Sequence, residues 1–171
     1  VRVFSEGVCV VPLHGGGCQM TITLEPIGTV RSPRTTLEDD HWGDVIATIE
    51  LAPAIPSESL DGIENFSHAE ILFLFDQIPE SHIVTGARHP RDNREWPRIG
   101  IFAQRGAVRP NRIGATIVRV LGREGRTVRV QGLDAVSGTP VLDIKPVMAE
   151  FLPRDAVRQP AWSHEVMRNY W

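Results

Sequence analysis

Apolar and polar residues alternate with a period of two over much of the chain. Residues 22–31 (ITLEPIGTVR) and 45–51 (VIATIEL) follow the pattern of half-buried strands. Residues 71–75 (ILFLF) form a short unbroken apolar run instead, which reads as a strand covered on both faces. Further strand signals follow at 98–104, 113–121, 127–133 and 140–145, and short helices are expected at Ser57–Leu60 and 163–170. Thirteen prolines and fifteen glycines punctuate these segments, which suits tight turns and argues against long helices. There is no internal repeat or low-complexity stretch. Many short strands between turn signals predict a mainly β protein. The expected architecture is a single β-barrel-like domain with short helices over residues 20–150. A C-terminal extension, 151–171, would pack on the barrel or in a dimer contact.

The first nineteen residues stand apart. They contain Gly15-Gly16-Gly17 and both cysteines, Cys9 and Cys18, and show neither a strand nor a helix period. Two cysteines in a Gly-rich segment make a poor disulfide framework, and the compact apolar core of a signal peptide is missing. Residues 1–19 are therefore expected to be a disordered leader or upstream read-through. Met20 is the expected natural start and the cytoplasm the expected compartment.

A chain of 171 residues, 42% hydrophobic, can bury one sizeable core. No apolar run approaches the ~18 residues of a membrane-spanning helix. The net charge of −3 excludes a uniformly basic nucleic-acid coat. That total conceals a segregation of sign. Residues 31–87 hold eleven acids and two arginines, whereas residues 88–129 hold eleven arginines and three acids. Lys145 is the single lysine. The arginine block is a candidate anion-binding surface.

Several chemistries lack their motifs. No G-x-G-x-x-G follows a strand, and there is no P-loop and no G-x-S-x-G nucleophile elbow. The six histidines do not fall in H-x-x-x-H spacing, and no C-x-x-C occurs, so no metal site is expected.

Three segments are richer than a scaffold requires. They are Gly62-Ile63-Glu64-Asn65-Phe66-Ser67-His68; Gly100-Ile101-Phe102-Ala103-Gln104-Arg105 with Arg109-Pro110-Asn111-Arg112-Ile113-Gly114; and the run from Gly132 to Pro146, GLDAVSGTPVLDIKP. Together, in this order, they closely resemble the hallmarks of the TrmO family, also called TsaA-like or YaeB-like. With Ile27-Gly28 and Ser32-Pro33 added, the resemblance runs from about Thr23 to Pro146. It implies a β-barrel, an S-adenosylmethionine cofactor, a homodimer with the cofactor near the subunit interface, and no membrane association. The implied reaction is methylation of the exocyclic nitrogen of threonylcarbamoyladenosine beside the tRNA anticodon.

Carried over residue by residue, the resemblance implies cofactor contacts at Asp76, Gln77, Arg105, Ala115, Leu133, Asp134, Ser137, Gly138 and Thr139. Members commonly have His-Gln where this chain has Asp76-Gln77. Many also carry Pro-Arg-Gln after the Ser-Pro element, where this chain runs Arg34 to Gly43; Asp40 and Trp42 are expected to take over those contacts. Substrate contacts are expected at Arg109, Asn111, Arg112 and Lys145, since arginine suits phosphates and splayed bases. The candidate general base is Asp134 or Asp143. Each assignment has a plainer alternative: solvated loop charges for the arginines, core packing for Trp42 and Trp96, an ion pair with Lys145 for Asp143. Two other functions fit the same residues, namely a SAM-binding or phosphate-binding regulatory barrel and a small-molecule methyltransferase.

Overall fold

The computed structural model describes residues 20–171 together with two short strands nearer the start, β1 (Arg2–Val3) and β2 (Cys9–Leu13). β2 pairs antiparallel with β3 (Met20–Leu24), Val11 standing opposite Ile22. Cys18 and the rest of the expected leader lie outside the described residues.

Six strands close a barrel: β4 (Gly28–Arg31), β5 (Ile46–Leu51), β6 (His68–Leu74), β9 (Ile113–Glu124), β10 (Thr127–Gln131) and β11 (Pro140–Pro146). Around the barrel the order is β10-β5-β4-β11-β6-β9, with every neighbouring pair antiparallel. Closure removes the open edges that a sheet of this size would otherwise present. Val30, Ala47, Ile49, Leu51, Ile71, Phe73, Val118, Val128, Val130 and Val141 point inward, each at most 4% exposed. These are the apolar members of the alternating runs, because a period of two sends every second side chain to one face. Two bulges adjust the ladders. Leu121 is unmatched between β9 and β10, and Leu142 between β11 and β6. An extra residue of this kind re-aims the side chains beyond it.

Several expected elements differ in detail. Residues 22–31 are two strands, β3 and β4, separated at Glu25-Pro26-Ile27. Pro26 has no N–H to donate to a ladder. The run at 71–75 belongs to the longer β6, whose inward Ala69, Ile71 and Phe73 are buried while Leu72 is only partly covered. The strand expected at 98–104 is mostly absent. Only β8 (Ile99–Gly100) pairs, with β7 (Ala87–Arg88), and a 3-10 turn follows over Ile101–Ala103. Ile101 enters the core while Phe102 is exposed, so its apolar residues serve a turn. The helix expected at 163–170 is α1 (Ala161–Val166). Among the described residues no helix is long and apolar enough to cross a membrane.

Candidate functional site

One end of the barrel gathers loops that are far apart in the chain. The loop after β4 folds around Arg34, whose guanidinium lies 4.4 Å from the centre of the Trp42 ring. The same guanidinium donates to the carbonyls of Asp40 at 2.8 Å and His41 at 2.5 Å. Arg91 reaches across from the loop after β7 and pairs with both Asp40 carboxylate oxygens, at 2.7 and 3.0 Å. The turn before β11 docks on this loop through Ser137 N–H to the Arg34 carbonyl, 2.7 Å. Four non-glycine residues here have positive φ: His41, Arg91, Asp92 and Arg112. Such conformations cost energy and persist only where the surroundings enforce them.

Between the end of β6 and the turn before β11 lies a narrow cleft of about 20 Å³, partly open to solvent. Phe73, Phe75, Ala135, Val136, Leu37 and Ile78 form its apolar walls, and Asp76, Gln77, Asp134 and Thr139 supply its polar side chains. Phe73 and Phe75 meet edge to face with centroids 5.1 Å apart. That is far below the roughly 300–1,000 Å³ of ligand pockets that cover most of their occupant, so a single chain encloses little of a ligand here.

Asp134 is half-buried at its edge. Its two carboxylate oxygens accept separate hydroxyls, one from Thr116 on β9 and one from Tyr170 beyond α1. Burial beside that carboxylate pushes the Tyr170 phenol well above its ordinary range. Asp76 sits at the mouth. Desolvation raises its carboxyl above the ordinary 3.8, against the opposing pull of the Asp76 and Gln77 backbone N–H groups and the Arg112 charge. Two acids on one apolar cleft suit a cationic occupant with an aromatic part. The cationic donor S-adenosylmethionine, which carries an adenine, meets that description.

The expected site residues divide accordingly. Asp76, Gln77, Asp134 and Thr139 come together on the cleft. Ser137 is partly covered and Gly138 exposed on the adjoining turn, where Gly138 takes φ 94° with open space beside it. Arg105 donates to the Ala115 carbonyl, and its charge is felt at Tyr170. Leu133 is a core residue with no exposed surface, so its side chain is withheld from a ligand. Trp42 is 3% exposed and covered by Arg34, which leaves no free ring face for stacking. Asp40 is engaged by Arg91, whose guanidinium holds its carboxyl below the ordinary range. Asp143 accepts from Lys145 and from the N–H of Ile144, and lies outside the cleft lining. The bulge at Leu142 sets this orientation.

The arginine block is also divided. Arg112, expected on the surface, is 6% exposed and donates to the Ile78 carbonyl at 2.6 Å, tying down the turn that holds Asp76. Arg109 donates to the Gln104 carbonyl at 3.2 Å, and Asn111 is exposed. Arg123 pairs with Asp61 at 2.5 Å, and Arg88 with Asp92 at 2.7 Å. Arg94, Arg98, Arg119 and Arg129 are exposed, and their guanidiniums have no hydrogen-bond or ion-pair partner among the described residues. Trp96 is held by its indole N–H, 2.8 Å from Glu165. No group of three potential metal ligands occurs among the described residues. Sequence reasoning overlooked Thr116, Tyr170, Arg34 and Arg91; the one available signal was that Tyr170 is the single tyrosine.

The family model of the tRNA-methyltransferase O N-terminal domain matches residues 32–151. The chain is 35% identical over 144 residues to a probable S-adenosyl-L-methionine-binding protein of Pyrococcus abyssi, covering 81% of this chain and 75% of that one. It is 39% identical over 142 residues to the tRNA (adenine(37)-N6)-methyltransferase of Escherichia coli, covering 76% of this chain and 60% of that enzyme. The crystal structure of TrmO from P. aeruginosa superposes with a TM-score of 0.67 at 33% identity, covering 84% of this chain and 62% of the other. The chain thus spans less than two thirds of those last two proteins.

Proposed function

The chain belongs to the tRNA-methyltransferase O family, and from that premise we propose that it is an S-adenosylmethionine-dependent methyltransferase. Its acceptor is the exocyclic nitrogen of threonylcarbamoyladenosine next to the tRNA anticodon. The observation that carries this reading is that Asp76 and Asp134 line one cleft together with the more accessible apolar side chains Phe75 and Leu37. S-adenosylmethionine presents a sulfonium, an ammonium, ribose hydroxyls and an apolar adenine. Two carboxylates and an apolar wall complement that set. When bound, it supplies an activated methyl group for in-line displacement.

The chain's own residues bind and orient. Asp134 and Asp76 accept from the cofactor's donors, with Gln77 and Thr139 beside them and Arg105, Ser137, Gly138 and the Ala115 carbonyl around the rim. Asp143, tied to Lys145, stands away from this work. Holding donor and acceptor aligned supplies most of the rate, and no covalent nucleophile is needed. The single-chain cleft is shallow, so a second copy in a homodimer supplies the missing wall. Arg94, Arg98, Arg109 and Asn111 face the RNA, in the cytoplasm. Relatives named only as SAM-binding proteins keep a second reading open, a SAM-binding barrel without transfer.

Isothermal titration with S-adenosylmethionine tests the cofactor, and nucleoside mass spectrometry of tRNA from a strain lacking the protein tests the acceptor. Loss of the methyl group on threonylcarbamoyladenosine is expected. An unchanged level with intact cofactor binding would transfer support to the second reading.

A further inference from the structure

The segment around α1 is anchored on the cleft end of the barrel by several independent contacts. Trp96 donates to Glu165 at 2.8 Å. The N–H of His41 donates to the Asn169 carbonyl at 2.8 Å, and that of Trp42 to the Tyr170 carbonyl at 2.7 Å. Gly43 lies so close to Trp171 that a Cβ on it would meet the Trp171 carbonyl carbon at 2.7 Å. The half-buried Tyr170 ring stands edge-on to Trp171 with centroids 4.9 Å apart. These contacts deliver the Tyr170 hydroxyl to Asp134, across 36 residues of sequence. Tyr170 lies beyond the stretch that the family model matches, residues 32–151.

We infer that Tyr170 is a positioning residue of the cofactor cleft, fixing the Asp134 carboxylate for a cationic, hydroxyl-bearing ligand. The inference rests on the proposed methyl-donor site and deepens it. An aspartate free to rotate must be ordered when its ligand arrives, and that ordering weakens binding. Here Thr116 grips one oxygen from the barrel wall and Tyr170 the other from the segment outside it. Hydrogen bonds to an ionised acceptor are the stronger class and fix its direction. An ionised carboxylate has about four lone-pair sites, so two remain for a donor in the cleft. Thr116 and Tyr170 thus orient the group and leave it able to bind.

The single tyrosine makes the contact directly observable. A ¹³C label at the tyrosine Cζ gives one resonance, which Asp134→Asn should displace at neutral pH. Tyr170→Phe keeps the ring and removes only the donor. It should bind S-adenosylmethionine about tenfold more weakly by titration calorimetry at 25 °C, with a native circular dichroism spectrum at that temperature and a Tm lowered by about 3–12 °C. Thr116→Ser, which keeps the other hydroxyl, should retain the parent affinity. Unchanged affinity in Tyr170→Phe, or a Cζ resonance unmoved by Asp134→Asn, would overturn the inference alone. Parent protein that takes up no S-adenosylmethionine would overturn the methyl-donor reading first, and this ligand assignment with it.

Discussion

Replacing Gly114 with alanine should destabilise the barrel through one contact. Gly114 stands opposite Phe73 in the β6–β9 ladder. A Cβ on it would lie 2.4 Å from Cε2 and Cζ of that ring and 2.9 Å from Cε1. Non-bonded carbons rest about 3.5–4.0 Å apart, so the ring would have to retreat by about an ångström. It has little room, since Phe73 is 1% exposed and is braced edge-on by Phe75. Overpacking of this kind costs about 1–3 kcal/mol. For a chain of 171 residues, each kcal/mol lowers Tm by about 2–4 °C. The expected loss is therefore about 2–12 °C, measurable by circular dichroism and confirmed by the urea midpoint. Phe73→Leu shortens the obstructing side chain, so a double-mutant cycle should return a coupling above about 1 kcal/mol. If Gly114→Ala melts within about 1 °C of the parent, or the cycle is additive, the packing argument is wrong. The glycine of the R-P-N-x-I-G motif would then need a role at the site instead.

Four further outcomes follow from the same geometry. Arg112→Ala should cost about 2–3 kcal/mol, from the lost charge-assisted bond to the Ile78 carbonyl; Arg112→Gly should recover close to 1 kcal/mol of that, because Arg112 sits at φ 51°. A glycine variant no more stable than alanine in urea titrations would refute the strain. Arg91 depresses the Asp40 carboxyl, so the stability from this pair is present above the ordinary 3.8 and is lost as pH falls through the depressed folded value. Asp40→Asn should therefore weaken the protein at pH 7 and show a shallower acid limb; parallel limbs would remove the linkage. Arg105→Ala should abolish S-adenosylmethionine binding in calorimetry without lowering Tm, and retained affinity would remove Arg105 from the site. Affinity for tRNA, followed by fluorescence anisotropy, should fall steeply with salt. Substituting Arg94 and Arg98 together should reduce the log–log slope by about 1.4–1.8, and salt-independent binding would count against an RNA surface.

Strand positions were legible because a barrel wall imposes its period on the chain. β5, β9, β10 and β11 lie within a few residues of the alternating runs. The failure at 98–104 has the same cause in reverse, since a turn can bury one apolar residue and expose the next without a ladder. The cleft acids Asp76 and Asp134 were found through motifs. Side chains whose fate depends on distant neighbours are less legible. Trp42 lies under Arg34, and Arg112 reaches back to Ile78, 34 positions earlier in the chain. A charged residue in an arginine-rich stretch looks solvated from its neighbours alone, and only packing reveals which guanidiniums serve carbonyls. The Tyr170–Asp134 contact was invisible for the same reason.

Barrel closure also dictates when the site can exist during synthesis. Thr29 on β4 pairs with Pro140 on β11, more than a hundred residues downstream. At about 5–20 residues per second, roughly 5–20 s separate the emergence of these two strands from the ribosome. Throughout that interval β4 is paired with β5 alone, and its edge awaiting β11 stays open to the wrong partner. Asp76 emerges long before Asp134 and Tyr170, so the cleft is the last feature assembled. A nascent chain halted before β11 can carry much of the core pattern and yet offer a cofactor nowhere to bind. Cofactor capture on stalled ribosomes would consequently report completion of the barrel.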